Sequence, residues 1–113
     1  MSVALKHSAR ITGLGSEILF AIQVAEGVWK DKSLGLLTIT SCMDGKHSAG
    51  SKHYVGKAVD FRTMNLTNDQ IQFAASELKD RLGNVEYDVV VEGDHIHVEH
   101  DPKTPLNNTG ATA

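Results

Sequence analysis

Residues Val85 to Glu99 read VEYDVVVEGDHIHVE, and few folds accept such a segment. Val85, Tyr87, Val89 and Val91 alternate with polar neighbours, the period of a strand that packs one face. Gly93-Asp94 is a tight-turn signal, and His95 to Glu99 forms a returning strand. An antiparallel hairpin is expected here. Just upstream, Thr67 and Gln70 have the spacing of a capping box, with Asp69 in the first turn. Ile71, Ala74, Ala75, Leu78 and Leu82 recur at helical spacing, and Gly83 stops the helix.

The first half of the chain supplies three more elements. Ile18, Ile22, Ala25 and Trp29, flanked by Leu19 and Val28, predict a helix over Ser16 to Trp29, with Ser16 as its N-cap. After the Ser33-Leu34-Gly35 turn comes a β-rich run, Leu36 to Ser41. A polar, glycine-containing loop covers Cys42 to Tyr54, and Lys57 to Arg62 reads as strand again. The order is helix, strand, loop, strand, helix, strand, strand. It predicts a small single α+β domain, mainly antiparallel, with helices covering one face of the sheet. Residues 1–100 form that domain. From Asp101 onward the chain is proline-broken and polar, a mobile tail.

Composition bounds the function. At 113 residues and 41% apolar content the chain has material for one small core. A net charge of −3 without any block of like charge argues against nucleic acid as a partner. Cys42 is the only cysteine, so an intramolecular disulfide is excluded. No apolar run has the length of a signal peptide or a membrane span. A soluble protein made in the cytoplasm is expected, one that needs release to act elsewhere. With no unexplained apolar stripe, a monomer is expected.

Two segments carry candidate chemistry. In SKHYVGKAVD, residues 51–60, His53 is followed seven residues later by Asp60, with Gly56 allowing the chain to turn between them. Val59 and Phe61 should point into the core, so Asp60 points the other way. In GDHIHVEHD, residues 93–101, His95 and His97 are two apart on a strand and share a face. Such a pair binds zinc through its imidazoles or sits simply as exposed strand histidines. Two histidines and a carboxylate meet the need of a catalytic zinc, which takes three protein ligands and keeps a fourth position for water. Asp94, Glu92 and Glu99 are the carboxylates near enough in sequence to move a proton.

SKHYVGKAVD resembles the motif Ser-x-His-x-x-Gly-x-Ala-x-Asp of zinc D-alanyl-D-alanine carboxypeptidases and phage L-alanyl-D-glutamate endopeptidases. Ser51, His53, Gly56, Ala58 and Asp60 fill its fixed positions. DHIH, residues 94–97, resembles the second motif, an acid three residues before the last zinc histidine. The resemblance spans roughly Leu36 to Glu99 and implies the hedgehog/DD-peptidase fold. It implies one Zn2+ held by His53, Asp60 and His97, with Asp94 as general base. It also implies that His95 contacts substrate or stabilises the transition state, and that Ser51 hydrogen-bonds substrate or a metal ligand. The implied substrate is the stem peptide of bacterial peptidoglycan, and the implied setting is a phage lysis enzyme acting on the host cell wall. By position, His95 is as good a ligand as His97; only the resemblance separates them.

One departure stands out. The family carries an arginine in the loop before the first motif, where this chain reads SCMDGKHSAGS. Lys46 or His47 is the expected substitute there, although lysine is a point charge rather than a planar fork. Tyr54 is a further cleft residue by position, while Trp29 belongs to the core. Two rival readings follow: an inactive zinc-binding structural domain on the same fold, and a zinc amidohydrolase of small dipeptides.

Overall fold

The computed structural model describes residues 3–5, 15–41 and 57–102. The strands are β1 (Val3–Leu5), β2 (Leu37–Ser41), β3 (Ala58–Arg62), β4 (Tyr87–Glu92) and β5 (His95–His100); the helices are α1 (Ser16–Asp31) and α2 (Asn68–Leu82). Together they form a small compact α+β domain around one five-stranded sheet, in the order β1-β2-β3-β5-β4. Only β1 and β2 run parallel; the other three pairings are antiparallel, so the sheet is mixed. No helix among the described residues is long and apolar enough to cross a membrane.

Most expected elements are present, with shifted ends. Ser16 is the first helical residue rather than the cap. Gly15 takes the cap position in extended backbone, and its carbonyl accepts from the amides of Ile18 and Leu19. The helical period turns Ile18, Ala21, Ala25, Val28 and Trp29 inward and leaves Leu19 and Phe20 about half exposed. Ser33 and Gly35 both take positive φ, 54° and 87°, and swing the chain into β2. For α2 the capping box is present in full: Thr67 Oγ1 accepts from the Gln70 amide, and Gln70 Oε1 accepts from the Thr67 amide. Gly83, at φ 79°, stops it.

Three expectations need correction. The strand expected from Val85 begins at Tyr87, because residues 84–86 belong to the turn after α2; Val85 is 52% exposed. Val91, beside the hairpin turn, is also largely exposed, so Tyr87 and Val89 alone serve the core from β4. Asp101, expected to start a mobile tail, donates its amide to the Glu86 carbonyl at 2.7 Å. The expected loop of Cys42 to Tyr54, with Lys46, Ser51, His53 and Tyr54, lies outside the described residues, as does the chain from residue 103. β1 has no counterpart in the sequence reading; three residues are too few to show a period.

The core joins both helices to one face of the sheet. Leu37, Ile39, Val59, Phe61, Ile96, Val98, Tyr87 and Val89 pack with Ile18, Ala21, Ala25, Val28 and Trp29 of α1 and with Ala74, Ala75 and Leu78 of α2. Trp29 lies tilted against Phe61, ring centroids 6.0 Å apart. Tyr87 reaches the start of α1, its hydroxyl donating to the Glu17 carbonyl. Arg81 ties the helices together by bonding Glu77 on its own helix and Asp31 on α1.

Strand alternation sends Asp60, Arg62, His95, His97, Glu99 and Asp88 to the second face. Replacing Thr67 with Ala removes one side-chain acceptor at the start of α2 and is expected to cost about 1 kcal/mol, whereas Thr67→Ser keeps it. Urea unfolding of both variants checks this; equal midpoints would mean the box contributes nothing.

Candidate metal centre

The site grows out of the β3–β5 ladder. The His100 amide donates to the Lys57 carbonyl, and the Thr63 amide donates to the Asp94 carbonyl. Counting inward by twos, Asp60 and His97 form a pair that does not exchange backbone hydrogen bonds, and so do Arg62 and His95. Such pairs bring their side chains closer than the alternate, hydrogen-bonded ones. The register therefore presses Asp60 and His97 together.

Asp60 Oδ1 lies 2.8 Å from His97 Nδ1. The other ring nitrogen, Nε2, lies 2.9 Å from Glu99 Oε1. His95 is held likewise, with Nδ1 2.9 Å from Asp94 Oδ1 and Nε2 2.9 Å from Glu92 Oε1. It also approaches Asp60 diagonally, Nε2 to Oδ2 at 3.6 Å. Asp60 is buried, His95 and His97 are partly buried, and the Asp94 side chain is 72% exposed in the hairpin turn.

Each imidazole thus bridges two carboxylates, which favours the doubly protonated ring. The hydrogen bond to Asp60 is the main reason that the His97 pKa is raised to about 9; burial opposes this, and Glu99 adds to it. For His95, burial pulls the pKa down, but Asp94, Asp60 and Glu92 together raise it above the ordinary value.

The donors of Asp60 and His97, one carboxylate oxygen and one imidazole nitrogen, suit zinc. Tetrahedral zinc at its usual bond lengths sets ligand atoms about 3.3 Å apart. The 2.8 Å contact would have to open by roughly half an ångström. A metal there must also displace the proton on Nδ1. His95 and His97 stand one strand repeat apart, about 7 Å, so one of them suits a given ion better than both. The direct contact to Asp60 belongs to His97 and the longer one to His95.

A second group escaped sequence reasoning. Asp88, Glu99 and Asp101 each place a carboxylate oxygen within 4.8 Å of the others, and among the described residues only this trio meets that distance. All three are partly buried, and together they could hold a metal ion. Counting back from the Gly93-Asp94 turn would have set Asp88 opposite Glu99. Arg62 was also missed. It is partly buried on the same face as His95, directly across from it, and makes no ion pair among the described residues. Ser51, His53, Tyr54 and Lys46 are outside the described residues, so the site is described from Asp60, Asp94, His95 and His97.

No family model matches the sequence, and no curated protein or solved structure matches it either.

The raised pKa of His97 carries a pH signature. A group whose folded pKa lies above its unfolded value stabilises the fold below the unfolded value and loses that contribution as pH rises through the folded one. Metal-free protein should lose stability progressively between about pH 6.5 and about pH 9. Unfolding midpoints measured in chelator across that range check this. His97→Gln should flatten the slope; an unchanged slope would place its origin elsewhere.

Proposed function

We propose that this chain is a zinc peptidase cutting the stem peptides of bacterial peptidoglycan, with the metal held by His53, Asp60 and His97. The carrying observation is the contact between Asp60 and His97, which lie far apart in sequence and meet at 2.8 Å. The sequence motif that contains Asp60 supplies His53 as the third ligand. The α+β element order agrees with the hedgehog/DD-peptidase fold that the motif resemblance implies.

Such a centre supplies Lewis-acid polarisation of a peptide carbonyl and a water acidified to near neutrality. Around it, the chain's own side chains have separate tasks. Asp94 takes the proton of the water and returns it to the leaving amine. His95, bonded to Asp94 and Glu92, fixes the orientation of that carboxylate and offers its ring to the substrate. Glu99 holds the far nitrogen of His97, the role of a carboxylate that orients a metal-binding imidazole. Arg62 gives this face a planar cation, in place of the arginine absent from the loop, to hold a substrate carbonyl or carboxylate. Ser51, Tyr54 and Lys46 belong to the substrate side of the same proposal. Phage-encoded release through the host wall is the biological setting it implies.

Metal content and amine release from purified peptidoglycan test the reading. One zinc per chain in wild type and in Asp94→Ala, with amine release only in wild type, is the expected result. Zinc without release from wall or dipeptide would favour the structural rival, and absence of zinc would sink the ligand set. Asp60→Asn is expected to lower zinc affinity by at least about tenfold, the scale of losing a charged ligand or its orientation. Release from free D-Ala-D-Ala but not from intact sacculi would favour the dipeptide rival.

A further inference from the structure

The outer edge of β4 is a second feature of the sheet, separate from the histidine face. β4 is the last strand in the order, and among the described residues nothing pairs with its outer side. The Asp101 amide bonds to the Glu86 carbonyl, so Glu86, Asp88, Val90 and Glu92 turn their backbone groups toward β5. Tyr87, Val89 and Val91 then turn theirs outward. Natural edge strands are usually blunted by lysine, proline or a bulge. β4 has none of these, and Val90 and Val91 are 45% and 40% exposed.

A cavity of about 420 Å3 runs along this edge, lined by Lys79, Asp80, Gly83, Asn84, Tyr87, Asp88 and Val89. Tyr87 and Val89 belong to the helix side of the sheet and Asp88 to the other. A cavity touching all three therefore follows the strand's rim and not one face. Its other wall is the last turn of α2, where terminal carbonyls lack helical partners and carry the negative end of the dipole. The charged residues lining it are Asp80 and Asp88 against Lys79; of those close by, Arg81 is bound to Glu77 and Asp31, Glu86 to His100 and Glu92 to His95.

We propose that this edge takes up an extended peptide by strand addition, with a lysine or arginine side chain of the peptide in the cavity. Backbone bonding to Tyr87, Val89 and Val91 supplies the affinity, and the acidic wall selects the cation. A second copy of the chain fits poorly. Antiparallel self-pairing centred on Asp88, Val89 or Val90 sets Asp88 against Asp88, Glu86 against Glu92, or Asp88 against Glu92, and like charges directly opposite are unfavourable. The inference does not use Asp60, His95 or His97 and stands apart from the peptidase reading; it shares Asp88 with the trio of Asp88, Glu99 and Asp101.

The test is amide hydrogen exchange and chemical-shift mapping on the 15N-labelled full chain, with the peptide acetyl-Thr-Val-Lys-Val-Thr-amide as probe. Saturating peptide should slow exchange at Tyr87, Val89 and Val91 by about tenfold or more, leaving Asp88 and Val90 unchanged because β5 already holds their amides. Of two peptides N-methylated on alternate residues, only one should bind. A glutamate in place of the lysine, or the Asp80→Asn/Asp88→Asn variant, should weaken binding by about tenfold, equivalent to about 1.4 kcal/mol. Unchanged exchange at the Val98 amide would show that the variant is folded. Three results would overturn the proposal: no response at millimolar peptide, equal binding of the glutamate peptide, or protection of the three amides that rises with protein concentration alone, the mark of a second copy.

Discussion

The pairing of β3 with β5 is the constraint on which the remaining structure depends. It lies between β2 and β4, and it fixes which side chains face the helices. Val59, Phe61, Ile96 and Val98 are all fully buried. At about 1.5 to 3 kcal/mol each, a one-residue slip would forfeit roughly 6 to 12 kcal/mol. That is comparable to the whole stability of a typical domain. No polar contact on the other face competes at this scale. The hydrophobic set chooses the register, and Asp60 and His97 arrive opposite each other as its consequence.

This division of labour explains how so small a chain carries a polar cluster. Among the described residues the core cluster lies on one face of the sheet, with α1 and α2 packed against it and against each other. The second face is left for groups that a core would reject. Each imidazole there is satisfied by carboxylates on both nitrogens. The cluster is thus poised for cations, first of all protons. A metal held there would have to compete with those protons, so its binding would depend on pH as well as on metal supply.

The sheet also ends differently on its two sides. β1 is a three-residue strand paired in parallel to β2, whereas β4 is six residues long and meets the cavity beside α2. The hairpin turn places Asp94 at one end of this region and brings Asp88 beside Glu99 in its middle. The acidic character of the hairpin therefore serves two neighbouring surfaces, the histidine face and the rim of β4.

The sequence by itself determined the local elements. A capping box, an apolar stripe and a stopping glycine define α2 because each acts within one helical turn. Alternation and a two-residue turn define the hairpin for the same reason. It also put Asp60 on the face away from Val59 and Phe61, since side chains alternate along any strand. Only the tertiary structure decided what lies opposite what. That Asp60 meets His97, that Arg62 faces His95, and that β3 sits beside β5 with α2 between them in sequence all follow from long-range pairing. β1, with three residues and a parallel partner 34 positions away, leaves no local pattern to read. The trio of Asp88, Glu99 and Asp101 is likewise a product of register. The hairpin count alone sets Asp88 opposite Glu99, but that Asp101 joins them shows only once the ladder forms.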